Sequence, residues 1–267
     1  MSVTHKMTDE ARLAQIMNAR KFLEPARNKH LVAQAQGILL DWDGCVAIDN
    51  RILPGARRFI TQYRDRIAIL TNNSSHLPED IGAVLAQDAI ILPTERIITA
   101  GVEAVRWALG EGYGRTMLLG SQRMRGFARE QGLELVNEQA GLVLLMRDTR
   151  FTYRKLERAV NMIRDGARLA VANADRTHPG AASRIVPETG ALLAVIQACV
   201  PDASPMMIGK PAPLLFARAC AVLGIAPGEA VMVGDNLETD IAGAQAVGMA
   251  SILIGGSEAL SLGDLIS

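Results

Sequence analysis

Four short apolar runs, Gly37 to Leu40, Ile67 to Leu70, Met206 to Ile208 and Ala230 to Val233, each break off abruptly into polar residues or glycine. Runs this short, without polar alternation, suit strands buried on both faces, which is the habit of parallel sheets covered by helices. The segments between them read as helices. Pro213 to Leu223, for instance, places Leu214, Leu215, Ala217 and Val222 so that one face is largely apolar. The middle of the chain repeats the pattern. Thr116 to Leu119, Leu142 to Met146 and Leu169 to Ala172 read as strands, with helices from Arg123 to Gln131 and Tyr153 to Asp165. An α/β core with parallel strands and a second, smaller α/β unit is therefore expected. The opening segment has Leu13, Ile16, Met17 and Leu23 near helical spacing, after Thr8 and Asp9 as caps, and predicts an amphipathic helix.

The 267 residues suffice for such an arrangement. Charges balance to a formal net of zero, so no overall field draws the chain to nucleic acid or to an anionic membrane. No apolar stretch reaches the length of a membrane span, and the N-terminus lacks the pattern of a signal peptide. Cys45, Cys199 and Cys220 are an odd set without metal-ligand spacing, which fits a reducing, cytoplasmic setting.

The strand ends carry the chemistry, because ligands of open parallel sheets bind beyond the carboxyl ends of the strands. The first run leads into Asp41, Trp42, Asp43 and Gly44. There Asp41 can attack phosphorus, Asp43 can exchange a proton with a leaving oxygen, and Gly44 lets backbone amides approach a phosphate. An isolated Asp-x-Asp-Gly is equally a solvated turn. The second run ends in Thr71, Asn72, Asn73 and Ser74, which suit phosphate oxygens and also suit a helix cap. The third leads to Gly209, Lys210 and Pro211, where a lysine can neutralise a phosphoryl group. The fourth ends in Gly234, Asp235 and Asn236, followed by Asp240. Asp41, Asp43, Asp235 and Asp240 at one sheet edge would need a cation. Their all-oxygen donor set favours magnesium over zinc or copper.

In order and spacing, these four stretches resemble the four motifs of the haloacid dehalogenase superfamily of phosphohydrolases. The resemblance runs from about Gly37 to Gly256. It implies Asp41 as nucleophile and metal ligand, Asp43 as acid/base with its carbonyl on Mg2+, and Asp235 as the other carboxylate ligand. Thr71, Asn72, Asn73, Lys210 and Gly44 would hold the phosphate or the substrate, with Asn236 and Asp240 steadying the metal site and the lysine. The branch resembled is that of p-nitrophenyl, sugar and pyridoxal phosphate phosphatases, with Phe151 to Leu156 and Val171 to Asp175 carrying the likeness between the second and third motifs. His178 resembles a histidine that contacts the pyridoxal ring there, although a loop histidine is more often simply solvated.

The implied fold is a doubly wound, Rossmann-like parallel-sheet core, residues 1–111 and 205–267 with an N-terminal extension over 1–36. A smaller α/β cap would be inserted at 112–204. The implied function is magnesium-dependent hydrolysis of small phosphate monoesters through an aspartyl-phosphate, on pyridoxal phosphate or sugar phosphates. A dehalogenase or phosphotransferase could also start from Asp41, but a halide leaving group needs no proton from Asp43. An inactive scaffold would be free to lose Asp41 or Lys210, and both are present. The partner expected is a small-molecule phosphate ester, and the resemblance allows a homodimer.

Overall fold

The protein was analysed as a computed structural model, which describes residues 25–179, 184–255 and 260–266. The helix expected around Leu13 to Leu23 lies outside these residues. The described chain starts with the helix Pro25–Gln34 and the strand β1 (Gly37–Leu40). A small hairpin, β2 (Ala47–Ile48) with β3 (Arg51–Ile52), follows the Asp41 turn. Next come β4 (Ile67–Thr71) and β5 (Ile97–Thr99). Then β6 (Arg115–Leu119), β7 (Glu134–Leu135), β8 (Leu142–Leu145) and β9 (Arg168–Val171) form, before a hairpin of β10 (Thr177–Pro179) and β11 (Ile185–Pro187). The chain closes through β12 (Met206–Met207), β13 (Ala230–Gly234) and β14 (Ala250–Leu253).

Two five-stranded sheets result, ordered β14-β13-β1-β4-β5 and β12-β9-β8-β6-β7, and every pairing within them is parallel. The chain leaves β1 towards β4 on one side and later returns to β13 on the other. Strand order therefore reverses at β1, which opens a crevice at its carboxyl end. Asp41 occupies that end.

The period-two alternation of each strand divides its side chains between layers. Ile38, Leu40, Ile67 and Ile69 turn to a cluster with Phe59 and Ile60 of the helix Ala56–Tyr63 and Ile81 and Leu85 of the helix Pro78–Gln87. Leu39 and Leu70 face the opposite way, onto the helices Ala100–Gly110 and Pro213–Leu223. That second cluster continues without a break into Leu118, Leu144 and Ala170 of the other sheet. The two sheets thus share one apolar layer, which holds their strand ends in a common geometry. The far face of the second sheet packs Met117, Val143 and Leu169 against Ala159, Leu193 and Ile196 of its own helices.

One expected strand has a different place. The run at Met206 to Ile208 forms its strand at Met206–Met207, but it pairs with β9, as an edge of the second sheet. Its apolar character signalled burial and could not signal which sheet buries it. Lys210 consequently reaches the first sheet's edge from a connecting segment. The strands β5 and β14 were not foreseen; Ile97 to Thr99 is only three residues long, too short for periodicity to register.

Candidate active site

Asp41 follows directly on β1, with its backbone N–H donating to the Val233 carbonyl at 2.9 Å, so it is set by the sheet itself. The turn beyond it closes through Gly44 N–H to the Ala47 carbonyl at 2.8 Å and Ala47 N–H to the Trp42 carbonyl at 2.9 Å. Neither bond engages the carbonyl of Asp43. Gly44 sits at φ +86°, and a Cβ there would run into the Asp235 carboxylate, so this position requires glycine on both counts.

Lys210 is the hinge of the electrostatics. Its Nζ donates at 2.6 Å to Asp41 Oδ1 and at 2.6 Å to Asp240 Oδ1, and all three residues are buried. Asp240 Oδ2 accepts from the Asn236 N–H at 3.1 Å, which commits both of its oxygens. Asn236 turns its own side chain to the first turn of the following helical segment, accepting from Glu238 N–H at 2.8 Å and Thr239 N–H at 3.2 Å. Asp235, one residue past β13, is exposed. The carboxylates of Asp41, Asp235 and Asp240 each bring an oxygen within 4.8 Å of the others.

Three carboxylates face one ammonium. Burial raises the Asp41 carboxyl well above its ordinary range; Lys210 opposes the rise, while Asp240 and Asp235 add to it. Desolvation alone would depress Lys210, but Asp240 and Asp41 together outweigh it and hold the ammonium above its usual value. Asp235 is pushed up to about 6, by desolvation first and by Asp240 second. Asp43 is solvent-accessible yet lies in a crevice. Desolvation there raises it, against the pull of Lys210, His178 and His76. Excess negative charge ringed by oxygen donors is the condition that a hard divalent ion relieves, so the donor set fits magnesium. Asp41 and Asp235 retain carboxylate oxygens for it.

The end of β4 supplies Thr71, and the loop after it Asn72, Asn73 and Ser74. Thr71 is buried, and its Oγ1 accepts from Asn73 N–H at 3.1 Å. Asn73 Oδ1 accepts from the N–H groups of Ser75 and His76, each at 2.9 Å, so that side chain shapes the turn. Asn72 is likewise committed. Its Oδ1 accepts from Lys210 N–H at 2.8 Å, and its Nδ2 donates to the Lys210 carbonyl and to Asp175 Oδ2, both at 3.1 Å.

The carboxyl ends of the second sheet meet this same edge. Asn173, past β9, donates to the Asn72 carbonyl at 2.8 Å, and Arg147, past β8, donates its N–H to Ser74 Oγ at 3.0 Å. His178 lies on the hairpin strand β10, where Glu188 Oε1 pairs with its Nδ1 at 2.8 Å and with Arg147 Nε at 3.2 Å. The crevice is therefore walled by two sets of strand ends. Arg147, Glu188 and His76 were not singled out from the sequence, whereas Asp175 opens the stretch to Pro179 that the resemblance places at a specificity loop. Asn173-Ala174-Asp175 did carry a signal, a polar cluster ending a strand, of the same kind as Asp41 to Asp43.

Comparison with known proteins bears on the family and the fold. A model described as haloacid dehalogenase-like hydrolase matches residues 38–134, and one described as HAD-hydrolase-like matches 207–260. Dihydroxyacetone phosphatase of Corynebacterium glutamicum is 30% identical over 220 residues, 81% of this chain and 79% of the relative. Acid sugar phosphatase of Staphylococcus aureus is 30% identical over 225 residues, 82% of this chain and 86% of the relative. Among solved structures, 4-nitrophenylphosphatase of Thermotoga maritima superposes with a TM-score of 0.81 at 26% identity, over 88% of this chain and 98% of that one. Glycerol phosphate phosphatase of Mycobacterium tuberculosis in complex with magnesium gives 0.76 at 28% identity, over 84% and 69%.

Proposed function

The chain belongs to the haloacid dehalogenase-like hydrolases, and on that footing we propose residue roles and a substrate class for a magnesium-using phosphatase of small phosphate monoesters. Asp41 attacks phosphorus as its ester bond to the leaving alcohol breaks, and Asp43 gives that oxygen a proton. The aspartyl-phosphate so formed is then opened by water, which returns its proton to Asp43. Lys210 and the turn after Thr71 hold the phosphoryl oxygens. Asp41, Asp235 and the Asp43 carbonyl are the groups that would hold magnesium. When bound, the ion neutralises charge between these carboxylates and the phosphoryl group.

The observation that carries this reading is the Lys210 bridge, 2.6 Å to both Asp41 and Asp240, beside a third carboxylate and at the switch point of the sheet. A buried ammonium fixing one oxygen of a strand-end aspartate orients that side chain for attack.

Short polyol or sugar phosphates are the favoured substrates. The wall formed by the second sheet offers Arg147, His178 and Glu188, a polar set suited to hydroxyl groups. The relatives named for dihydroxyacetone, acid sugar and glycerol phosphates point the same way. A cytoplasmic location is supported by three free cysteines, two of them buried. Sizing in solution tests for the homodimer. The deciding experiment is steady-state hydrolysis of triose, glycerol, sugar, pyridoxal and p-nitrophenyl phosphates, with magnesium and with chelator. Asp41→Asn should show no turnover and Asp43→Asn a loss of about a hundred- to ten-thousand-fold. Normal turnover by Asp41→Asn would remove the mechanism.

A further inference from the structure

Asn72 stands where a phosphate contact is expected, yet its side chain has no capacity left for one. A carboxamide has one carbonyl and one NH2 group. Here the carbonyl accepts from Lys210 N–H at 2.8 Å, and the NH2 group serves both the Lys210 carbonyl and Asp175 Oδ2 at 3.1 Å. The amide pairs with the Lys210 backbone on both of its polar sides, as a neighbouring strand would. Gly209 makes room for it, since a Cβ there would come within 2.6 Å of Asn72 Oδ1.

The third partner comes from the other sheet. Asp175 belongs to the loop after β9, and that loop is tied to the end of β4 a second time. The buried Asn173 donates to the Asn72 carbonyl at 2.8 Å and accepts from the Asp175 N–H at 3.2 Å. Gly190 N–H donates to the Asp175 carbonyl at 2.7 Å, which anchors the loop from behind. A half-buried carboxylate needs a donor, and the Asn72 NH2 group supplies one. A continuous chain of hydrogen bonds thus runs from the second sheet through one amide to the residue whose ammonium holds Asp41.

We propose that Asn72 and Asp175 are positioning residues that act through Lys210. The phosphate site is fully assembled only while the loop after β9 is docked on the end of β4. This rests on the reading of Lys210 and Asp41 given above. Asn72 offers phosphate its backbone, and its carboxamide sets the lysine.

The test is a double-mutant cycle, read on p-nitrophenyl phosphate at saturating magnesium, with thermal melting of each variant as the folding control. Asp175→Asn keeps an acceptor for Asn72 and should retain kcat within about threefold, whereas Asp175→Leu, of similar size without one, should lose about tenfold or more. Asn72→Leu removes both bonds to the Lys210 backbone and should lose about a hundredfold. Because Asp175 acts through Asn72, adding Asp175→Leu to Asn72→Leu should cost no more than about twofold further, the non-additivity of groups in contact. Losses that simply multiply in the double variant, or an Asp175→Leu protein that melts normally and keeps its kcat, overturn the proposal. An Asp175→Leu protein that melts early but keeps its kcat well below its melting temperature also overturns it, because the contact is then structural only. If Asp41→Asn is active, the site reading falls; if Asp41→Asn is inactive and the losses multiply, only the positioning role falls.

Discussion

Replacing Lys210 by methionine should cost stability through charge rather than packing, and the two can be separated. Methionine nearly conserves the length and volume of the stem, so in a position only 2% exposed the packing loss should be small. What disappears is the ammonium and both 2.6 Å bonds, leaving Asp41, Asp235 and Asp240 with oxygens within 4.8 Å of one another. At that separation a pair of charges repels by about 3.5 kcal/mol for an effective dielectric of about 20. Removing one partner of a buried ion pair typically destabilises by about 3–5 kcal/mol. For a chain of this size that is a fall in Tm on the order of 6–15 °C.

The signature lies in the conditions. Measured by calorimetry at pH 7.5 in chelator, the full loss should show. At pH 5 it should shrink, because Asp41 already has a raised pKa and protonating a carboxylate relieves the repulsion. Magnesium should also restore part of the loss at pH 7.5, by occupying the carboxylates in the folded state only. Turnover should fall by about a hundred- to a thousand-fold, as for loss of one preorganised electrostatic donor. An equal fall in Tm at both pH values, unmoved by magnesium, would mean that Lys210 matters for packing and that the charge argument is wrong.

Two further outcomes follow from the same cluster. Gly44→Ala should weaken magnesium binding by about tenfold or more, since its Cβ would displace the Asp235 carboxylate and its φ of +86° disfavours any side chain; titration calorimetry reads this directly. Magnesium affinity should fall as pH drops through about 6, where Asp235 takes up its proton in the metal-free protein. The sign for stability is the reverse. A carboxyl raised in the folded state binds more protons there than in the unfolded chain, so metal-free protein should lose stability as pH rises from about 4 to 6; a chelator-treated melt series that rises instead would contradict the shift.

What the sequence made legible was local. Asp41 and Asp235 each follow, and Thr71 ends, a strand recognisable from a short apolar run, and a parallel sheet brings such ends to one edge whatever the details. Lys210 was identified too, but for an incomplete reason: the short run before it belongs to the second sheet, and at the first sheet's edge the lysine backbone pairs with Asn72. That bond joins residues 138 apart in sequence, and the one to Asp175 joins residues 103 apart. Neither leaves a periodic trace.

The same limit explains why His178 was read as a solvated or ring-contacting histidine, with no partner foreseen. Its Nδ1 is taken by Glu188, which Arg147 holds as well, from strands whose mutual approach depends on the whole second sheet. With Nδ1 committed, the nitrogen left to meet a substrate is Nε2. Its tautomer and direction are then set by a carboxylate that lies outside all four motifs. Phosphate chemistry is written at strand ends, where sequence can be read a few residues at a time. The groups that would meet a leaving group are placed by contacts between the two sheets, where the shared apolar layer of Leu39, Leu118 and Leu144 and the bonds of Asn72 and Ser74 to the loops after β9 and β8 bring those loops to face one another.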